Sequence, residues 1–352
     1  MIKACTNALI LIIISTMLFS CSDGKEPNKM TNENELLYSS ELQLSALNEA
    51  IEATPDNPYL YFKRATYFYN INNFRIAQND IQKALRMDES VAAYWLLSAQ
   101  INNELKNVDR AIEEGQKALQ LGNAEPILYA LLANCLLEKN DTISANQYIG
   151  KLTAIAPQMA ELKYVQAKKL LIGKDTSHSF LKFRECIQNN PQYIEAYIDL
   201  MSLYYKKQMY DSIMPLLIKA KRMRPNNPTL FLYEGKFYET INKNQVALAA
   251  YKEGLLCDPQ AIELYKPLSD YYGRQGNYKE SMYYLSKWIE KNSSDAQSII
   301  KMGNYALKQN DEAGAVTYYK NSLSIDSSNT YLKKEIERIE KHIRYVAQDT
   351  TN

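Results

Sequence analysis

The residues able to do chemistry are few and widely separated. The chain has 352 residues and two histidines, His178 and His342, which lie far apart. A histidine-based metal site has no second ligand near either, and a Ser-His-Asp or Cys-His constellation has almost nothing to draw on. Cys135, Cys186 and Cys257 are spaced too widely for a local metal motif and are odd in number for pairing, so packing is their expected role. There is no glycine-rich phosphate loop and no nucleophile motif. Glutamates are plentiful, but a catalytic carboxylate pair needs a dry pocket that raises one pKa. The chain is therefore expected to be non-enzymatic, with no cofactor and no metal. One cysteine stands apart: Cys21, in "TMLFSCSDGKEP", sits where an apolar run ends and a charged run begins.

Lys3 supplies a short positive region, and Ala8 to Phe19 is a twelve-residue run without charge. That run is too short for a bilayer, which needs about 20 apolar residues, and it reads as a signal peptide. Leu18-Phe19-Ser20-Cys21 resembles the lipobox of bacterial lipoproteins. The resemblance implies cleavage before Cys21 and a diacylglycerol and further acyl groups on that residue. Two or three chains, at roughly 0.8 kcal/mol per buried methylene, would anchor the protein durably. Ser22 after the cysteine resembles the outer-membrane-destined class, and Asp23 and Glu26 resemble acidic surface-export signals. Residues 1–20 are thus expected to be the cleaved leader and residues 21–35 a lipidated flexible tether.

The body must be read from composition and period. The chain carries 41 basic and 40 acidic side chains, and one of the basic ones is Lys3 in the leader. Such a balance gives no long-range pull toward nucleic acid. Gly and Pro number 11 each while Tyr reaches 28, which favours helices faced with aromatics. Pro55, Pro157, Pro191, Pro225 and Pro259 are separated by multiples of 34 residues. Counting from Pro58 gives eight units, starting at 58, 92, 126, 160, 194, 228, 262 and 296, without insertion or deletion through 329. The eighth position of a unit is Ala, Gly or Ser except at Met201, and the twentieth is Ala or Ser except at Ile213. Small residues twelve apart predict two antiparallel helices that cross closely there. Met201 and Ile213 should push the fifth pair apart. Pro215 falls near the start of a second helix, where a missing donor is tolerated. Trp288 is expected to fill the space left by Gly303 between the last two units. Residues 36–57 read as a capping half unit, and residues 330–352 as a terminal helix with a stripe of Leu332, Ile336, Ile339 and Ile343.

"YFKRATYFYNINNFRIAQNDIQKALRMD" at Tyr61 and "FLYEGKFYETINKNQVALAAYKEGLLCDP" at Phe231 resemble the tetratricopeptide repeat. The resemblance implies an all-α fold, a right-handed superhelical α-solenoid of helix pairs whose concave face is lined by first helices. It also implies binding of proteins or peptides. In the family, positions 2, 5, 9, 12 and 13 supply that face, which here implies Tyr59, Phe62, Tyr69, Leu96, Leu137, Tyr164 and Tyr205. Lys236, Glu239, Lys266, Asp270 and Arg274 follow in the later units. No three consecutive units reproduce the family's carboxylate clamp. The expectation is a lipid-anchored interaction scaffold of the bacterial envelope, most simply at the outer membrane. Its partners would be envelope proteins or peptide segments, with no nucleic acid and with room for self-association. The alternative is a glycan-binding surface lipoprotein using tyrosines as stacking platforms.

Overall fold

The structure, a computed structural model, describes residues 32–349. The leader, Cys21 and most of the expected tether lie outside the described residues. Among those described there are eighteen α-helices, two 3-10 turns and no strand. Helix α1 spans Asn32–Ala53. The paired helices follow as α2 Pro58–Asn70 with α3 Phe74–Met87, α4 Ala92–Glu104 with α5 Val108–Gln120, and α6 Pro126–Glu138 with α7 Thr142–Ile155. Then come α8 Ala160–Ile172 with α9 Thr176–Asn189, α10 Ile194–Lys206 with α11 Ile213–Met223, and α12 Pro228–Thr240 with α13 Asn244–Cys257. The last are α14 Tyr265–Arg274 with α15 Tyr278–Lys291, α16 Ala296–Lys308 with α17 Glu312–Ile325, and the terminal α18 Thr330–Asp349. Helix α1 begins ahead of the expected tether boundary at residue 35. The residues form two compact bodies, one ending at Cys135 and one beginning at Leu136.

Each pair is punctuated in the same way. Asn72, Lys106, Asn140, Lys174, Gln208, Asn242 and Asn310 are all left-handed, with φ between 58° and 63°, and Gly276 takes φ 72° at the equivalent place. They fall on the fifteenth position of the eight units. There the first helix closes with a six-residue bond, such as Asn107 N donating to Asn102 O at 2.8 Å or Asp175 N to Leu170 O at 2.9 Å. The next residue caps the second helix: Asp141, Asp175, Asn277 and Asp311 accept from the backbone N–H of Ser144, His178, Glu280 and Gly314. Left-handed geometry costs a β-carbon residue about 1–2 kcal/mol, and lysine has no local compensation of the asparagine kind. Lys174 is exposed. Replacing it by glycine is expected to raise stability by up to ~1 kcal/mol, after the greater unfolded-state entropy of glycine is set against the relief. Chemical denaturation of Lys174→Gly against Lys174→Asn and the parent checks this.

The crossing of each pair rests on small residues. Ser179 Oγ on α9 donates to Ala167 O on α8 at 3.0 Å, and Ser281 Oγ on α15 to Ser269 O on α14 at 2.7 Å, so side chain meets backbone at the two positions twelve apart. In two units a tyrosine at the twenty-fourth position is matched by glycine at the eighth. A Cβ on Gly235 would lie 2.1 Å from Cε1 of Tyr251, and one on Gly303 would lie 2.4 Å from Cε1 of Tyr319. Glycine thus stands where the facing helix presents a tyrosine. In the body ending at Cys135 a glycine sits instead at the twenty-fourth position: Gly115 on α5 faces Leu132 of α6 in the next unit, 2.9 Å from where a Cβ would stand. The expectation for Trp288 is corrected by the same geometry. The room at Gly303 is taken by the Tyr319 ring, whereas the half-buried Trp288 indole donates to Asp295 Oδ2 at 2.8 Å.

The fifth pair departs from the others. Met201 and Ile213 are both fully buried, and α10 and α11 lie less closely together than α8 and α9 or α12 and α13. Its second helix is shortened to 11 residues and preceded by a 3-10 turn at Tyr210–Ser212. A 3-10 turn at Ile262–Leu264 likewise precedes α14. Both have a proline in the same relation. An α-helix begun at Tyr210 or Ile262 would place Pro215 or Pro267 in its interior, where the ring meets a carbonyl one turn back. Starting at Ile213 or Tyr265 instead puts each proline in the first turn, where no donor is required.

At the end of the second body, Leu332, Ile336 and Ile339 of α18 are buried against Ala306, Ala315, Val316 and Tyr319. Of the three cysteines read as packing residues, Cys135 and Cys186 are buried but Cys257 is exposed. It ends α13 beside Leu256, which is 83% exposed, so the helix presents that turn outward.

Candidate interaction face

The candidate face is built by the first helix of each unit, and its residues divide into those that reach the surface and those that neighbours cover. In the body ending at Cys135, Tyr59 on the first turn of α2 is 50% exposed. Its ring lies 6.2 Å from that of Phe62, which in turn meets Tyr94 of α4 at 5.0 Å. Lys63 Nζ stands over Tyr59 at 5.1 Å. Phe62 and Tyr69 are half-buried against the core of this body, and Tyr69 packs on Phe74 at 5.6 Å. Three of the anchors implied by the resemblance are not exposed. Leu96, Leu137 and Tyr164 are 7%, 2% and 6% exposed. The reason is visible at Tyr164: Phe183 and Tyr193 close on its ring, and its hydroxyl donates to Asp199 Oδ2 on α10 at 2.8 Å. A fifth-position side chain lies where the next first helix covers it, as Phe62 also shows through Tyr94.

The second body is more polar along this face. Burial pushes the Tyr164 phenol well up, and burial also raises the Asp199 carboxyl against the opposing pull of Lys168. Lys168 donates to Glu138 Oε1 at 2.9 Å. Lys236 is half-buried over two rings, 5.1 Å from Tyr205 and 5.3 Å from Tyr233, and Tyr205 leans on Tyr210. Burial lowers the Lys236 ammonium, while Glu239 works the other way. Further along, Lys266 donates to Asp295 Oδ2 at 3.0 Å, Arg274 pairs with Glu239, and Lys301 pairs with Asp270. Burial alone would raise Asp295, but hydrogen bonds from Ser298, Trp288 and Lys266 hold it well below the carboxylate range. Lys266 and Arg274, implied as groove cations, therefore already face carboxylates, Lys266 at the end of its own unit and Arg274 on the preceding one. Mostly exposed pairs of this kind are worth little to stability. What they do is fix side chains and neutralise the face, so that among the described residues Lys236 is the cation of the implied set without an ion pair.

One polar feature escaped the sequence reading. Asn102 and Glu114 are 0% and 4% exposed. Asn102 Nδ2 donates to Glu114 Oε2 at 2.7 Å and to Ser98 O at 3.1 Å, while Gln78 and Asn107 donate to its Oδ1. Arg110 Nε reaches the other Glu114 oxygen at 2.8 Å. The network joins α3, α4 and α5. Among the described residues no group of His, Cys, Asp and Glu could hold a metal ion, and no helix is long and apolar enough to cross a membrane.

Residues 62–126 match the family described as "Tetratricopeptide repeat". The fold is a tetratricopeptide solenoid. The chain is 22% identical over 358 residues to the DnaJ protein P58IPK homolog of Arabidopsis thaliana, covering 97% of this chain and 70% of that protein. It is 22% identical over 307 residues to DnaJ homolog subfamily C member 7 of Mus musculus, covering 82% of this chain and 57% of the relative. The solved Pseudomonas aeruginosa pilF structure resembles it with a TM-score of 0.52 at 14% identity, over 60% of this chain and 96% of that one. At such identity the likeness speaks for the tetratricopeptide fold alone.

Proposed function

We propose that the protein is a non-catalytic interaction scaffold that holds protein or peptide segments on the face formed by its first helices. The observation that carries this reading is Tyr59, a half-exposed aromatic at the start of the tetratricopeptide array, backed by Phe62 and Tyr94 and flanked by Lys63. A rigid aromatic with a cation beside it suits an extended partner, since such residues dominate the energetics of interfaces. Tyr205 with Lys236 offers a comparable arrangement in the second body. Proteins of the tetratricopeptide fold support the interaction role.

We further propose that Cys21 carries lipid and tethers this scaffold to the bacterial envelope, at the outer membrane. The support is the sequence "LFSC" at the end of a short apolar run, followed at once by polar residues. Labelling cells with an alkyne-bearing palmitate analogue tests the anchor: label on the parent and none on Cys21→Ser is the expected result, and label on both overturns it.

In-cell photo-crosslinking tests the interaction face. Tyr69 is a poor position for the probe because it is half-buried against Phe74, whereas Tyr59 is half-exposed. Asn79, exposed on the second helix of the same unit, is the control. A discrete protein trapped from Tyr59 and missing from Asn79 is expected. Identical captures from the two positions, or none from Tyr59, would remove the first-helix face as the working surface.

A further inference from the structure

The second body carries a cleft of about 470 Å³, lined by α7, α8 and the N-terminal half of α9. It lies on the other side of α8 from Tyr164 and Lys168: Leu162, Gln166, Lys169 and Leu170 line it, and these positions share one stripe at helical phase. The inference is therefore independent of the first-helix face. The floor is apolar, with Leu162 and Ile149 buried and Leu170 half-buried. The rim is cationic. Lys163, Lys169 and Lys182 border the cleft, and no acidic residue lines it. The adjacent Glu185 serves both Lys182, at 2.7 Å, and Lys163, at 3.8 Å, while the exposed Lys169 makes no ion pair among the described residues. Three ammonium groups thus face one carboxylate around an apolar trough.

We propose that this cleft docks an acidic amphipathic peptide segment, its apolar side chains on the floor and its carboxylates against the lysines. Volume and lining are of the kind that binds ligands, which is ~300–1,000 Å³ with an apolar floor and a few placed charges. The spacing of the cations selects a peptide. Lys163 and Lys169 lie six residues apart on α8, a rise of about 9 Å, and Lys182 sits across the trough on α9. A single-headed amphiphile brings one anionic group and answers one lysine. A peptide brings carboxylates at intervals along its length and answers all three, which is the helix-in-groove or extended-segment mode of recognition.

The test is fluorescence anisotropy of a labelled synthetic peptide of leucine and glutamate, patterned to be amphipathic, titrated with the whole protein. Three comparisons accompany it: the same peptide with serine for leucine, the same with lysine for glutamate, and laurate as competitor. The amphipathic acidic peptide is expected to bind alone among the peptides and to weaken as salt rises. The charge-reversal double variant Lys169→Glu and Lys182→Glu should lower affinity by about tenfold or more, and Lys169→Arg should leave it near the parent value. Lys169 is exposed and Lys182 is half-buried beside Glu185, and unchanged far-ultraviolet circular dichroism confirms that the double variant is folded. The proposal is overturned if the acidic peptide does not bind or if its serine counterpart binds equally. Indifference to charge reversal also overturns it, as does binding of laurate without peptide. Crosslinking from Tyr59 should be unchanged by the double variant, which separates failure here from failure of the first-helix face.

Discussion

Gly235→Ala is expected to destabilise the protein by about 1–3 kcal/mol, although alanine elsewhere in a helix improves on glycine by roughly 1 kcal/mol. The reversal of sign comes from Tyr251. Its ring is fully buried, and the added methyl carbon would sit 2.1 Å from Cε1, well inside contact distance. A ring locked between α12 and α13 cannot swing aside without moving a helix. The mechanism is testable beyond the single variant, because other units solve the same contact with alanine and a branched aliphatic, as at Ala65 and Ile81, both fully buried. Tyr251→Leu alone opens a cavity and should cost about 3 kcal/mol or more. Combined with Gly235→Ala, it should cost clearly less than the sum of the two. Chemical denaturation of the four proteins gives the coupling; additive effects would show that the two positions do not share one space.

Asn102→Ala should be of similar or greater effect, at about 3 kcal/mol. The loss is not of one hydrogen bond. Glu114 is left buried with Arg110 as its remaining partner, and the amides of Gln78 and Asn107 lose their common acceptor. Glu114→Gln is the informative comparison. It keeps an acceptor for Asn102 and removes the buried charge, so its cost should stay near 1 kcal/mol. The pair Asn102→Ala with Glu114→Ala should again fall short of additivity, since the second change removes the group the first leaves unsatisfied. Urea midpoints of these variants and of Glu114→Ala alone measure the effects, and an Asn102→Ala variant as stable as the parent would mean that water replaces the lost amide.

The sequence disclosed the array through features that repeat. Eight units in register, small residues at the eighth and twentieth positions and a stripe on the last helix are all periodic signals, and each reflects a contact that recurs. What stayed hidden was contact specific to one unit. Trp288 and Tyr319 are both large and both near Gly303 in the chain's pattern; which ring enters the gap depends on helix phase and rotamer. Nothing in the sequence singled out Asn102 and Glu114, because burial of a polar group is legible only from its partners. Leu96, Leu137 and Tyr164 were placed on the open face by position alone, and the covering side chains come from elsewhere in the fold. Lys266 and Arg274 were placed on that face in the same way, and the carboxylates they meet stand 29 and 35 residues away in the chain.

The trading of bulk between the eighth and twenty-fourth positions has a consequence for how such arrays diversify. Tyr251 fits only opposite a residue without a side chain, and both members of that match lie between the same two repeat boundaries. Genetic exchange with a crossover at a repeat boundary moves lock and key together and leaves the contact whole. A crossover at the left-handed turn between α12 and α13 would join one parent's glycine to another parent's aliphatic, or its tyrosine to an alanine. Sixteen residues separate the two positions. Within that short interval a recombinant inherits either a hole or a collision, so this contact is inherited intact only with the whole stretch from Gly235 to Tyr251.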